Sequence, residues 1–184
     1  MKKLLISALV AALIAFVFQA LSWMALPIHK HSLKYTPKQD EILAALEGLE
    51  DGYYMVPYFD PDNTTMEEQQ ALQLEMAGKP WALINYNEAW RTSMGKNMGF
   101  GFLLNLVAAL LAAFVLSLAV DKVNGFFGRW FVVLCFALFA IFQPVLAMAN
   151  WWSMPAHYLT GDVLDLLIAW GLAGAWMAHY QRPR

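Results

Sequence analysis

One cysteine in 184 residues excludes an intrachain disulfide, and that residue, Cys135, lies inside an apolar stretch. Charge is scarce as well. Asp, Glu, Lys and Arg make up 14% of the chain, against roughly 25% in an ordinary soluble domain. A net charge of −2, with no basic stripe, gives no footing for nucleic acid. The chain has no phosphate-binding glycine loop, no His-Glu-x-x-His pair and no nucleophile-base set, so the sequence argues against an enzyme more than for one.

What the chain has in excess is apolar surface. Hydrophobic residues are 60% of it and the mean hydropathy is +0.46. They fall in blocks. Residues 4–28 are interrupted only by Ser7, Gln19 and Ser22, and residues 99–120 only by Asn105 and Ser117. Residues 130–149 hold Gln143 and residues 163–178 hold Asp165 as their lone polar side chains. A bilayer core about 30 Å thick needs roughly 20 apolar residues as helix. Four blocks therefore predict four transmembrane helices. The first block is read as retained rather than as a cleaved signal. Its apolar run is roughly twice a normal signal core, and no clean small-x-small cleavage site follows.

Orientation follows from charge. With the N-terminus inside, the inner face carries Lys2, Lys3, Lys122, Arg129, Arg182 and Arg184 against Asp121 alone. The outer face then holds six basic and about twelve acidic residues. The positive-inside bias gives an N-in, C-in bundle. The lysine-led start suits a bacterial inner membrane, which puts the long outer segment in the periplasm. The predicted fold is an all-α membrane protein, a four-transmembrane-helix bundle with a small α+β extracytoplasmic cap inserted between its first two helices. The expected divisions are helix one at 1–26, the cap at 27–97, helix two at 98–120 and a cytoplasmic loop at 121–129. Helix three at 130–149, an outer loop at 150–161 and helix four at 162–180 complete the chain.

Inside the cap the order reads helix, strand, helix, strand. "TPKQ" at 36–39 has the grammar of a helix start, with Thr36 as cap and Pro37 in the first turn. Thr64 with Glu67 repeats it, and Gly78 with Pro80 ends that second helix. "GYYMV" and "ALINY" read as short strands, the first halted by Pro57. "DPDNTTMEE" starts like a calcium loop but lacks the glycine and the final glutamate, so it reads as an acidic loop leading into a helix.

Two features point to function. Each membrane helix places one polar residue in its outer half: Gln19, Asn105, Gln143 and Asp165. Such residues face protein or water rather than lipid. They predict either hydrogen bonds that fix the bundle or a polar cavity open to the outside. Asp165 has a third reading, a carboxylate in the first turn of helix four. The second feature is a frame written twice, "WMALPIH" at 23–29 and "WWSMPAH" at 151–157. Both copies fall at the outer end of an upward-running helix. Trp favours the interface and Pro follows a helix end, so convergence and a duplicated hairpin both account for the match. With an extended chain after Pro27, His29 and His31 point one way, and His157 sits at the same depth. Those three imidazoles, with Met24 and Met154 nearby, are a candidate copper or zinc site. His29 with His157 is also a conceivable axial haem pair, with nothing else to support it.

Two functions remain open. One is a non-catalytic membrane subunit or accessory protein. It binds partner membrane proteins, or a second copy, through its cap and through small-residue faces such as Ala169 with Ala173 and Gly171 with Ala175. The other is a metal- or small-ligand-binding protein of the periplasmic face, built on His29, His31, His157 and Asp165. A channel is the weaker third, because the inner half offers no polar path.

Overall fold

The computed structural model describes residues 1–90 and 93–183. It divides into two compact units, residues 1–35 with 93–184 and residues 36–92. The first is helical. It comprises α1 (Lys2–Met24), α4 (Met94–Ala119), α5 (Gly125–Ala140), α6 (Leu146–Trp152) and α7 (Ala156–Tyr180). A π-helical turn, Ile141–Val145, joins α5 to α6. Four helices are long and apolar enough to cross a membrane: α1, α4, the continuous Gly125–Trp152 run, and α7. They have 23, 26, 28 and 25 residues, each above the roughly 20 a bilayer core needs.

The packing inverts that of a soluble bundle. The buried residues of α1 are Ser7, Ala8, Ala11, Ala12, Ala15 and Ser22, and those of α4 are Ala109, Ala112, Ala113 and Leu116. The large side chains of α1, Leu5, Leu9, Leu13, Val17 and Leu21, recur every four residues and are exposed. Small residues inside let helix backbones approach closely, and bulky ones outside suit lipid. Contacts run in a row, α4 on α1, α1 on α7 and α7 on α5. On α7, Ala169 and Ala173 belong to the buried cluster. Gly174 lies so close to α5 that a Cβ there would sit 3.2 Å from the Val133 side chain. Of the small residues expected to meet a partner, Ala169 and Ala173 thus pack within the chain itself, while Gly171 has open space beside it.

The end of the bundle that holds both termini is tied by polar bonds the sequence reading missed. Gln181 Nε2 donates to Ser7 Oγ at 3.0 Å and to the Ala113 carbonyl at 3.3 Å. Trp176 Nε1 donates to the Ser7 carbonyl at 3.2 Å. Arg129, expected as an inner-face charge, is buried and donates from Nε to the Ala178 carbonyl at 2.9 Å, in the last turn of α7. A cation there also meets the negative end of the helix dipole.

The helices overrun the apolar blocks that announced them. Helix three starts at Gly125 and reaches Trp152, because Pro144 is absorbed by the π turn rather than ending the helix. Ser153, in the left-handed region at φ 49°, stops it. Helix four starts at Ala156, not at 162, so Asp165 lies in its third turn. The first-turn reading of that carboxylate fails on this count.

The second unit has the expected order: α2 (Gln39–Ala45), β1 (Gly52–Val56), α3 (Met66–Met76) and β2 (Ala82–Tyr86). The strands pair antiparallel, with Tyr54 opposite Ile84. Capping differs from expectation in detail. Thr36 Oγ1 accepts from Lys38 N at 3.3 Å and caps a turn, while the helix begins at Gln39. In α3 the capping box is Thr65 with Glu68, one residue later than read. The acidic loop closes on itself. Asp60 accepts from Asn63 Nδ2 at 2.8 Å and from Asp62 N at 3.0 Å. None of the described residues of this unit is buried.

Candidate functional site

The site grows from the place where α1 stops. Met24 ends the helix, and Pro27–His29 make a 3-10 turn whose fixed proline φ suits its first position. The turn folds His29 back, so its ring stacks on Trp23 of α1, with centroids 3.8 Å apart and planes 7° from parallel. The extended chain expected after Pro27 is replaced by this turn, which separates His29 from His31. His29 is buried and His31 is exposed.

His29 meets α7. Its Nε2 lies 3.1 Å from Asp165 Oδ2 and its Nδ1 lies 3.2 Å from Ser32 Oγ. Ser22, the residue before Trp23, donates a short hydrogen bond to the other carboxylate oxygen, Asp165 Oδ1. Asp165 and His29 expose 10% and 3% of their side chains. A buried charge survives only when paired and hydrogen-bonded, and both oxygens of Asp165 are engaged. As an imidazolium, His29 donates from both nitrogens, to Asp165 and to Ser32. As a neutral ring protonated on Nε2, it accepts from Ser32. Gly161, one turn before Asp165, makes the room. A Cβ there would lie 2.6 Å from His29 Cε1 and 2.7 Å from Nδ1.

Beside this pair lies a cavity of about 720 Å³ between α1, α4, α7 and the π turn. Gln19, Asn105, Asp162 and Asp165 line it together with Trp23 and Met98. Asn105 Nδ2 donates to Gln19 Oε1 at 2.8 Å and to the Gly101 carbonyl at 3.1 Å, so these two amides are engaged with each other. Asp162 is half-buried and, among the described residues, accepts no hydrogen bond. Three of the four expected polar residues thus share one cavity. The fourth, Gln143, is exposed on the π turn, which rotates it away from the others.

His31 and His157 line a different surface cavity of about 590 Å³ with Leu33, Lys34 and Tyr35. His29 does not line it. Among the described residues, no group of three or more His, Cys, Asp or Glu side chains is placed to hold a metal ion. The two Trp-x-x-x-Pro-x-His frames also differ locally. Pro27 opens a 3-10 turn, whereas Pro155 caps α7 and puts His157 in its first turn, exposed.

Sequence reasoning missed Ser22, Ser32, Gly161 and Asp162. Ser22 and Asp162 carried a readable signal. Ser22 is one of three polar interruptions in the first apolar block, and Asp162 precedes Asp165 by one helical turn. Ser32 and Gly161 carried none. No family model, no curated protein and no solved structure matches this chain.

Proposed function

We propose that this chain is an integral membrane protein that binds a hydrophobic organic cation in the cavity between α1, α4 and α7. In the N-in orientation that cavity opens toward the periplasm. The observation that supports it is the lining. Asp165 is held by His29 and Ser22, while Asp162 faces the same space with no hydrogen bond among the described residues. Phe16, Trp23, Met24, Met94 and Met98 line the same cavity. An aromatic face attracts a cation by about 0.5–2 kcal/mol, and thioethers pack irregular apolar bodies. The size falls within the ~300–1,000 Å³ range of small-molecule sites, which are mostly apolar with a few placed polar groups.

The test is a titration of the purified full chain with tetraphenylphosphonium, with tetraphenylborate as a probe of the same shape and opposite charge. Trp23 lines the cavity, so tryptophan fluorescence reports on occupancy. Saturable binding of the cation but not of the anion, lost in Asp162→Asn, is the expected result. Equal binding of both probes would reduce the site to an apolar cleft.

A second reading, an accessory subunit that binds a partner protein, rests on the small unit. It exposes Ile42, Leu43, Tyr53, Tyr58 and Trp81 and buries no described residue. Native mass spectrometry of the complex extracted from its own membrane decides it. Partner chains at fixed stoichiometry support it, and a lone chain refutes it.

A further inference from the structure

The charge count of the cavity carries one step more, resting on the binding reading above. The titratable groups that line it are Asp162 and Asp165 of α7, with His29 of the 3-10 turn bonded to Asp165; the lining residues of α1, α4 and the π turn are apolar or uncharged. Asp165 and His29 are paired with each other, Nε2 to Oδ2 at 3.1 Å. Their geometry locks this pairing, because Ser22 and Ser32 hold the outer atoms of each and Trp23 covers the ring. Asp162 lies within electrostatic reach of both but is bonded to neither. It is the one group at the cavity whose charge, once ionised, has no dedicated partner among the described residues. A carboxylate charge partly withdrawn from water against mostly apolar walls costs free energy, and neutralising the group relieves that cost.

Two species can neutralise it. A proton does so in the empty cavity, and an organic cation does so in the filled one. Both need the same carboxylate. We infer that a proton and an organic cation exchange one for one at Asp162. The carboxylic acid gives up its proton to water as the cation enters. The O–H bond breaks heterolytically, the electron pair stays on the carboxylate, and the cation is held by charge without a covalent bond. Net charge in the cavity is unchanged. Asp165–His29 is a positioning pair in this scheme. It keeps the imidazole from becoming the counterion of Asp162.

The experiment is the tetraphenylphosphonium titration repeated in weakly buffered solution with a pH indicator. That probe has no proton to lose, so any proton released comes from the protein. The wild type is expected to release close to one proton per cation bound on the acid side. Its apparent affinity should weaken roughly tenfold per pH unit there, by linkage. Asp162→Glu should keep the release, and Asp162→Asn should lose it. Cation binding without proton release, at an affinity flat from about pH 5 to 8, overturns the exchange and leaves the binding site standing. Undiminished release from Asp162→Asn moves the proton to the Asp165–His29 pair and overturns the assignment. No cation binding by the wild type removes the site and the exchange together.

Discussion

Gly161→Ala tests the site through a sign reversal. Gly161 lies inside α7, where alanine is the better helix former by about 1 kcal/mol. On propensity alone the substitution stabilises. The geometry says otherwise, because the new Cβ would sit 2.6 Å from His29 Cε1 and 2.7 Å from Nδ1. Ordinary carbon contacts are about 3.5–4.0 Å, so the ring must shift by about 1 Å. That is enough to break bonds of 3.1 Å to Asp165 and 3.2 Å to Ser32, and to unstack Trp23. Overpacking costs about 1–3 kcal/mol and a charged hydrogen bond is worth about 1.5–3 kcal/mol. Set against the helix gain, the net loss is about 1.5–5 kcal/mol. For a chain of this size that is a fall in Tm of roughly 3–20 °C. The decisive assay repeats the change in a His29→Ala background, by thermal unfolding in detergent. With the ring gone, the added methyl group should be neutral or stabilising. A Gly161→Ala effect of the same sign and size in both backgrounds would refute the claim that this glycine exists to seat His29.

Other substitutions read the rest of the bundle. Gly171→Leu meets open space and should leave Tm within a few degrees, whereas Gly174→Leu runs into Val133 and Trp130 and should cost at least about 1–3 kcal/mol; equal effects would contradict the packing of α7 on α5. Arg129→Ala strips the Ala178 carbonyl of its charged donor and should destabilise by about 1.5–3 kcal/mol in the same melt, with a null effect counting against a buried guanidinium. In the small unit, Thr65→Ala should fray α3 by about 1 kcal/mol, read as faster amide exchange of its first turn. Hydrogen bonds from the backbone and then the side chain of Thr65 hold the Glu68 carboxyl below its ordinary value of 4.5. A carboxylate whose pKa is depressed on folding stabilises above its unfolded pKa and loses that contribution as pH falls through the folded one. The first turn of α3 should therefore exchange faster as pH drops below about 4.5, after correction for intrinsic rates, and a pH-independent protection would contradict the box.

Much of this was written legibly in the chain. The four apolar blocks exceed what any soluble core needs, so spanning helices followed from length alone. The order of the small unit followed from its caps and stops, although Thr65 took the place of Thr64 because both precede Glu67 and Glu68 with nearly equal grammar. Gln19, Asn105 and Asp165 stood out as isolated polar side chains in apolar helices, and all three line one cavity. Gln143 stood out in the same way but lies on the π turn around Pro144, where the changed helical pitch leaves it exposed. The parting of His29 from His31 had a different cause. Whether Pro27 leads into an extended segment or a 3-10 turn is a choice between local states of similar energy. It is decided by Trp23, Asp165 and Gly161, the last two more than 130 residues away. A three-residue turn therefore separated His29 from His31 and gave it to a carboxylate.

The two ends of the helical unit solve the same problem in opposite ways, and the contrast bears on where function sits. At the end with the termini, Gln181, Trp176 and Arg129 each donate to a backbone carbonyl of another helix. Those bonds use polar side chains against backbone and tie four helices. At the other end, the α1–α7 contact is made by side chains alone: Ser22, Asp165, His29 and Ser32, with Gly161 cleared for the ring. Holding helices together does not require ionisable groups, and a hydrophobic pair of the same volume is often as stable or more so. An Asp–His pair fixed by two serines, beside a cavity that holds a second carboxylate, is thus poorly explained by bundle stability. A paired replacement makes the distinction measurable. Asp165→Leu with His29→Leu removes both charges at once and should leave Tm within a few degrees or raise it. The same variant takes away the two groups that act electrostatically on Asp162, so its tetraphenylphosphonium binding and proton release should change. A double variant that melts far below wild type yet binds the probe unaltered would make the pair structural and strip it of any part in the cavity.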